Sequence, residues 1–80
     1  MSPVMLFSQR DFLGDVLKLY DDDRIVLGGV NVRSARINPG YRLTVFEQTT
    51  FSGNSRSFTT DTPEIRGNWS SVEVVTNDSI

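Results

Sequence analysis

The sequence is built from two similar halves. Residues 6–14 read LFSQRDFLG, and residues 45–53 read VFEQTTFSG. With an offset of 39 residues, two aromatics and a glycine recur, as Phe7 with Phe46, Phe12 with Phe51 and Gly14 with Gly53. The same offset places Asp22 over Asp61, and towards the end of each half an offset of 37 places Ser34 over Ser71. A repeat of this length indicates one structural unit that occurs twice.

The two halves are expected to share one domain. The chain has 80 residues, which is enough for a single domain and too few for two. The joint between the halves, Asn38-Pro39-Gly40, has the composition of a turn and is too short for a linker. We therefore predict one domain over residues 1–80, with a first motif at 1–38 and a second at 39–80 around a common core.

Apolar residues alternate with polar ones along both halves, which is the period of a β-strand. The alternating positions are Val4 and Leu6, Leu17 and Leu19, Ala35 and Ile37, and, in the second half, Leu43 and Val45, Phe58, and Val72 and Val74. Breakers separate these runs at Gly14, Gly28-Gly29, Gly53 and Thr62-Pro63. The pattern predicts an all-β protein with four strands in each half, eight in all, packed as a two-sheet sandwich.

One segment also fits a helix. In Asp11–Tyr20, the residues Phe12, Val16 and Leu19 are spaced by four and three. Gly14 inside that helix would cost about 1 kcal/mol relative to alanine. The matching segment of the second half, FSGNSRSFTT, is a poor helix former, so we predict a strand in both halves.

The composition gives no support to catalysis. The chain has no cysteine and no histidine, which excludes disulfides, thiolate sites and a Ser-His-Asp triad. No pair of carboxylates has a spacing that stands out, so we expect no enzyme activity. A net charge of −2 disfavours nucleic-acid binding. No apolar stretch has the length of a membrane helix, and the N-terminus lacks the features of a signal peptide. We expect no membrane partner and a cytoplasmic protein, or a module of a larger one.

The repeated element, an aromatic, four residues, an aromatic, one residue and a glycine, resembles the signature of the βγ-crystallin superfamily. A serine near the end of each half fits the same signature. The matching residues are Phe7, Phe12, Gly14 and Ser34 in the first half, and Phe46, Phe51, Gly53 and Ser71 in the second. The resemblance implies a microbial-type single domain of two Greek-key motifs. It also implies structural roles, with the aromatics inside a folded-back hairpin, the glycine at positive φ and the serine hydrogen-bonded to the hairpin.

Many members of this family bind calcium in loops that precede the last strand of each motif, and the resemblance raises the same question here. The two loops are Gly29–Ser34 and Arg66–Ser71, and neither begins with the two acids or amides of the family pattern. Arg33 stands where the first loop would supply a hydroxyl. The weak candidate ligands that remain are Asn31, Ser70, Glu47 and Asn68. Since calcium requires six to eight oxygens, we expect degenerate binding, about millimolar or weaker, or none.

Three further features have a predicted structural role, and two of them also have a functional alternative. Arg33 and Arg66 are predicted to hold their loops by pairing with acids such as Glu47 or Glu64. Asp21–Asp23 is predicted to be a solvated turn, with a second cation site as the alternative. Trp69 is predicted to pack on the core with its N–H bonded, with an exposed binding residue as the alternative.

The function expected from these features is a non-catalytic structural or binding module. The alternative is a small protease inhibitor or toxin-like protein of the same fold, which the absence of cysteine disfavours because such relatives tend to carry disulfides. A homodimer is an expected way to cover apolar surface that so small a domain leaves exposed. The sequence identifies no protein partner.

Overall fold

The computed structural model describes residues 2–76, which form seven strands. They are β1 Val4–Gln9, β2 Leu13–Leu19, β3 Arg24–Val26, β4 Ser34–Ile37, β5 Tyr41–Phe46, β6 Ser55–Phe58 and β7 Ser71–Thr76. A 3-10 turn, Arg10–Phe12, joins β1 to β2. A three-stranded sheet has the order β2-β1-β4, a four-stranded sheet has the order β3-β7-β5-β6, and every pairing is antiparallel. Within the described residues, no helix is long and apolar enough to cross a membrane.

Each half of the chain contributes a segment to the sheet of the other half. Strand β3 belongs to the first half but pairs with β7, so that Ile25 lies opposite Val72. In return, Thr62 of the second half forms an isolated antiparallel bridge with Ala35 of β4. Two backbone hydrogen bonds of 2.9 and 2.8 Å close this bridge. The exchange interlocks the halves, because each sheet has a contact with a segment of the other half at its edge.

The prediction of eight strands is only partly met. Where the eighth was expected, between β6 and β7, the structure has the single bridge at Thr62. Beyond the bridge, the Pro63 carbonyl accepts from the Asp11 N–H at 2.9 Å, and the Ile65 N–H donates to the Arg33 carbonyl at 2.7 Å, so the segment leaves the regular ladder with β4. On the other side of the bridge, the Ile37 N–H donates to the Asp61 carboxylate at 2.8 Å. A side chain thus takes the hydrogen bond that a backbone carbonyl would accept in a longer strand.

The bridge also corrects the repeat alignment. Thr62 occupies the place opposite Ala35 that Ile25 occupies opposite Val72, so Thr62 corresponds to Ile25 with an offset of 37. Asp61 therefore corresponds to Arg24, and its predicted alignment with Asp22 is wrong. The connection that follows β2 is two residues longer than the one that follows β6, and the offset changes there.

One apolar cluster lies between the sheets and takes residues from both halves. Its twelve buried members are Val4, Leu6, Leu19, Leu27, Val32, Ala35, Ile37, Leu43, Val45, Ile65, Val72 and Val74. Most of them are the inward positions of the predicted alternating pattern. Leu27, Val32 and Ile65 come from loops instead. These three anchor the loops to the sandwich.

The segment that fitted both helix and strand is a strand. Its first residues, Asp11 and Phe12, have φ values of 59° and 61°, which an α-helix does not allow. Leu13–Leu19 then pairs with β1, with a bulge between Phe7 and Gln9. The strand prediction is confirmed over this range.

Truncation of a core leucine should destabilise the domain far more than truncation of a surface leucine. Leu43 is fully buried, whereas the Leu13 residue is 59% exposed. We expect Leu43→Ala to lower the free energy of unfolding by about 2–5 kcal/mol, because it leaves a cavity in the shared core. Leu13→Ala, with the same atoms removed, should change it by less than about 0.5 kcal/mol. Urea unfolding followed by Trp69 fluorescence measures both, and equal losses would contradict the core assignment.

Candidate functional site

The aromatic residues of the repeat form two matching corners on the outer faces of the sheets. The first corner comprises Phe7, Phe12, Gly14 and Ser34, and the second comprises Phe46, Phe51, Gly53 and Ser71. Phe7 and Phe12 meet edge to face, with ring centroids 5.8 Å apart and an interplanar angle of 79°. The second pair repeats this at 6.0 Å and 81°. Edge-to-face packing is a favoured aromatic geometry and fixes the bend of each hairpin.

The backbone at both corners is left-handed at the aromatic as well as at the glycine. Phe12 and Phe51 have φ values of 61° and 55°, and Gly14 and Gly53 have 83° and 80°. A bulky residue in this region is rare and costs on the order of 1–3 kcal/mol. A methyl group at Gly14 would also collide with the Ser8 hydroxyl. The sequence pattern indicated the glycines but gave no signal for the strained phenylalanines.

The repeated serines lie beneath the corners and bond the strained backbone. The Ser34 hydroxyl donates to the Gln9 carbonyl at 2.6 Å and accepts from the Phe12 N–H at 3.0 Å. The Ser71 hydroxyl donates to the Gln48 carbonyl at 2.6 Å. Both serines are fully buried. The first corner therefore depends on two serine hydrogen bonds and the second on one.

An arginine lies over the aromatic ring of each corner and pairs with an acid. The arginine and the acid exchange their positions in the repeat between the two corners. The Arg36 guanidinium lies 4.0 Å from the Phe12 ring centroid and 3.4 Å from Asp61. Its counterpart in the second half is Glu73, which pairs at 3.0 Å with Arg24. Arg24 in turn lies 4.3 Å from the Phe51 ring centroid. Sequence reasoning missed this arrangement, since the correct correspondence of Arg24 with Asp61 emerges only from the strand pairing.

The two loops that precede the last strands lie side by side at one end of the sandwich. The first loop is residues 27–33, and the second loop is residues 63–70. The Leu27 N–H donates to the Ser70 carbonyl at 2.9 Å, and the Ile65 N–H donates to the Arg33 carbonyl at 2.7 Å. These reciprocal hydrogen bonds hold the loops together. Because Leu27 and Ile65 are buried, the loops have little freedom to separate.

The structure distributes the four candidate calcium ligands over two places. Asn31 and Asn68 line one cleft of about 190 Å³ between the loops, next to Arg33. Ser70 donates its N–H to the Phe46 carbonyl at 2.8 Å, which places it beside Glu47. The Glu47 carboxylate accepts from the Asn54 amide at 3.3 Å. Within residues 2–76, no group of three or more acidic side chains converges as a metal site would require.

Three arginines and one glutamate surround a pocket of about 310 Å³ at the same end. We call it the arginine pocket. Its lining is Arg10, Arg33, Glu64, Ile65, Arg66 and Gly67. Glu64 pairs with Arg10 at 2.9 Å and with Arg66 at 3.1 Å. The predicted Arg66–Glu64 pair is confirmed, whereas the prediction for Arg33 is wrong, because Arg33 has no acid within 4.0 Å in the described part of the chain.

The two guanidiniums lower the pKa of the Glu64 carboxyl. The hydrogen bond from Arg10 is the largest cause, and the hydrogen bond from Arg66 follows it. Both favour the charged form of the carboxylate. Glu64 thus stays ionised to lower pH than an isolated glutamate does. Its side chain is 36% exposed, so solvent screens the pair and its contribution to stability is small.

The remaining two sequence features have structural roles. Trp69 packs against the core and donates its indole N–H to the Arg66 carbonyl at 2.8 Å. The interpretation as a core residue with a bonded N–H is confirmed. Asp21–Asp23 lies in a turn, where the Asp23 carboxylate accepts from the Tyr20 N–H at 2.7 Å. The turn prediction is likewise confirmed, and the second cation site has no support.

The whole structure is similar to solved structures of βγ-crystallin domains. It superimposes on a βγ-crystallin domain from Flavobacterium johnsoniae with a TM-score of 0.88 at 19% identity, over 99% of this chain and 100% of that one. The chain has the βγ-crystallin fold. Hahellin, a βγ-crystallin solved by NMR, matches with a TM-score of 0.79 at 29% identity, over 100% of this chain and 98% of its own.

A third structure with the βγ-crystallin fold contains calcium. It is a domain of Abundant Perithecial Protein from Neurospora crassa in the Ca²⁺-bound form, with a TM-score of 0.87 at 18% identity over 100% of this chain and 97% of that one. No protein-family model matches the sequence, and no curated protein gives a significant match. The fold is therefore recognisable in three dimensions at identities where sequence comparison fails.

Removal of the two corner serines should have unequal effects. Ser34→Ala leaves two backbone groups without a partner, and we expect it to lower the free energy of unfolding by about 2–3 kcal/mol. Ser71→Ala leaves one such group and should lower it by about 1–2 kcal/mol. Chemical denaturation measures both. Ser57→Ala, which removes an exposed hydroxyl bonded to Thr44, is the control and should have an effect below about 0.5 kcal/mol. A larger loss for Ser71→Ala than for Ser34→Ala would contradict the assignment.

The titration of Glu64 should report its two arginine partners. NMR detection of its side-chain carboxyl should give a pKa below the ordinary glutamate value. Arg10→Gln should raise that pKa more than Arg66→Gln, since Arg10 is the larger cause. A lowered pKa in the folded state adds stability above the unfolded-state pKa, and this is lost as the pH falls through the folded-state value. Arg42→Gln on strand β5 is the control, and a similar rise in that variant would refute the pairing.

Proposed function

We propose that this chain is a non-catalytic βγ-crystallin-type module, built of two Greek-key motifs, that binds calcium at about millimolar affinity or weaker. The fold supports the module, and the calcium-bound Neurospora crassa domain shows that a protein of this fold can hold the ion. The exchange of β3 and Thr62 between the sheets supports the Greek-key assignment. The observation that carries the proposal is the arginine pocket, which places positive charge in a loop where calcium would need oxygen ligands.

The first loop is the less suitable of the two for a cation. Arg33 stands where the family pattern supplies a hydroxyl, and its N–H is bonded to the Phe7 carbonyl at 2.9 Å, which fixes it beside Ser8. Arg10 lines the same space from the other side. A divalent cation bound in this space would be repelled by both guanidiniums. We therefore propose that the first loop does not bind calcium.

The second loop retains a few neutral and acidic oxygens. Ser70 and Glu47 are neighbours through the Phe46 carbonyl, and Asn31 reaches the cleft between the loops. One hydroxyl, one carboxylate and the two amides of Asn31 and Asn68 fall short of the six to eight oxygens that calcium prefers, so water and backbone carbonyls would have to supply the rest. A site of this kind is weak because so few of its ligands carry charge.

The absence of catalytic side chains supports the non-enzymatic part of the proposal. No histidine or cysteine is present in the sequence, and the Glu64 carboxylate is paired with two arginines, which lower its pKa and favour its ionised form. A general acid requires a raised pKa, which is the opposite of what these arginines produce. The expected absence of nucleic-acid and membrane partners, the homodimer and the cytoplasmic location stay predictions.

Thermal unfolding in calcium and in a chelator tests the proposal. In 1 mM calcium we expect the melting temperature to exceed that in chelator by no more than about 3 °C, because ligand at or below its dissociation constant adds less than about 0.5 kcal/mol. Calorimetric titration should give a dissociation constant of about 1 mM or more. A micromolar dissociation constant, or a rise of several degrees at 1 mM calcium, would refute the weak-binding proposal.

A substitution at Arg33 tests the reason for the weakness. Arg33→Ser removes the positive charge and restores a hydroxyl, and we expect calcium affinity to rise by about tenfold, which is about 1.4 kcal/mol. Arg42→Ser makes the same chemical change on strand β5, outside both loops, and serves as the control. Equal calcium affinities for the two variants would show that Arg33 does not block the site.

A further inference from the structure

We infer that the arginine pocket binds a doubly charged oxyanion of the phosphate class. Three guanidiniums and one carboxylate line it, so at neutral pH its side chains carry a net charge of +2. The whole chain has a net charge of −2, and the pocket is thus a local reversal of sign. A phosphate monoester, which carries about −1.5 to −2 at pH 7, complements that charge.

The three arginines of the pocket differ in whether an acid pairs with them. Arg10 and Arg66 share the single carboxylate of Glu64 at 2.9 and 3.1 Å. Arg33 has no acid within 4.0 Å in residues 2–76, although it is only partly exposed. Arg24 and Arg36, over the aromatic corners, each have an ion-pair partner. The Arg33 guanidinium therefore has no carboxylate that neutralises it within residues 2–76, unlike these other four arginines.

The position of Arg33 is fixed by the fold. Its N–H donates to Phe7 at 2.9 Å, and its carbonyl accepts from Ile65 at 2.7 Å, so the backbone of both loops holds it. A fixed backbone reduces the entropy lost when the side chain orders on a ligand. A guanidinium presents its N–H groups in a planar fork that matches two oxygens of a phosphate. Arg33 is therefore assigned as the principal contact.

The space in front of Arg33 is open and shared. A second pocket of about 390 Å³, lined by Ser8, Gln9, Arg10 and Arg33, has two arginines in common with the arginine pocket. An oxyanion can thus approach Arg10 and Arg33 from solvent without any movement of the loops. Because Arg10 and Arg66 are exposed by 68% and 81%, solvent screens their charges, and the expected affinity is about millimolar.

Titration with inorganic phosphate tests the inference. The amide resonances of Arg33, Ile65 and Gly67 are followed by NMR at pH 7.5, with EDTA present and ionic strength held constant with sodium chloride. We expect saturable shifts at these three amides, with a dissociation constant of about 1–10 mM. Shifts that grow linearly, or that chloride alone reproduces, would overturn the proposal. EDTA removes calcium, so this result is independent of the calcium proposal.

Two substitutions of opposite charge should change phosphate affinity in opposite directions. Arg33→Gln should weaken it by about fivefold, because one charge-assisted contact is lost. Glu64→Gln should strengthen it by about threefold, because Arg10 and Arg66 lose the carboxylate that competes with phosphate. Arg42→Gln and Asp21→Asn carry the same charge changes outside the pocket and should leave affinity within about twofold.

The outcomes separate a local site from general electrostatics. Equal effects of Arg33→Gln and Arg42→Gln, or of Glu64→Gln and Asp21→Asn, would show a response to net charge alone and overturn the proposal. Arg10→Gln, at a more exposed position, replaces Arg33→Gln if that variant does not fold. O-phosphoserine, titrated in parallel, identifies the source of the anion. Equal affinity indicates free phosphate and tighter binding indicates a phosphorylated ligand, and both support the site.

Discussion

Two buried serine hydroxyls hold the parts of this fold that are under the greatest backbone strain. Phe12 and Phe51 adopt left-handed conformations that aromatic residues rarely take, and each persists because its surroundings fix it. In each corner, the contact between the two aromatic rings fills the bend. The serine from the last strand of the motif donates to a backbone carbonyl of the hairpin. Since each serine follows the carbonyl that it bonds by more than 20 residues, the corner can form only when the sheet has formed.

The exchange of segments between the halves brings the two loops to one end of the molecule. Because β3 pairs with β7 and Thr62 pairs with β4, the segments that follow them emerge at the same end of the sandwich. Reciprocal hydrogen bonds between Leu27, Ser70, Ile65 and Arg33 then bring the two loops together. The site is therefore composite, and the arginine pocket and the cleft that Asn31 and Asn68 line both take residues from both halves. A change in one half alters the chemistry of both loops.

The two halves share one backbone arrangement but differ in the charges that they carry. At the corners, an arginine and an acid exchange places between the halves, and an arginine lies over the aromatic ring in each. At the loop end, Arg33 occupies the position in the first loop that Ser70 occupies in the second. Similar scaffolds thus present a guanidinium in one loop and a hydroxyl at the matching position of the other.

The sequence by itself determined the repeat, the all-β class, most of the core and the corner residues, because alternation and the Phe-Phe-Gly-Ser pattern are local or recur at a fixed offset. It also determined that neither loop carries the full set of calcium ligands. Only the tertiary structure decided that the eighth strand is a single bridge, that Asp61 corresponds to Arg24, and that Arg10, Arg33 and Arg66 surround one pocket. These outcomes depend on strand exchange between the halves, and contacts between residues so far apart in the chain leave no periodic signal in it.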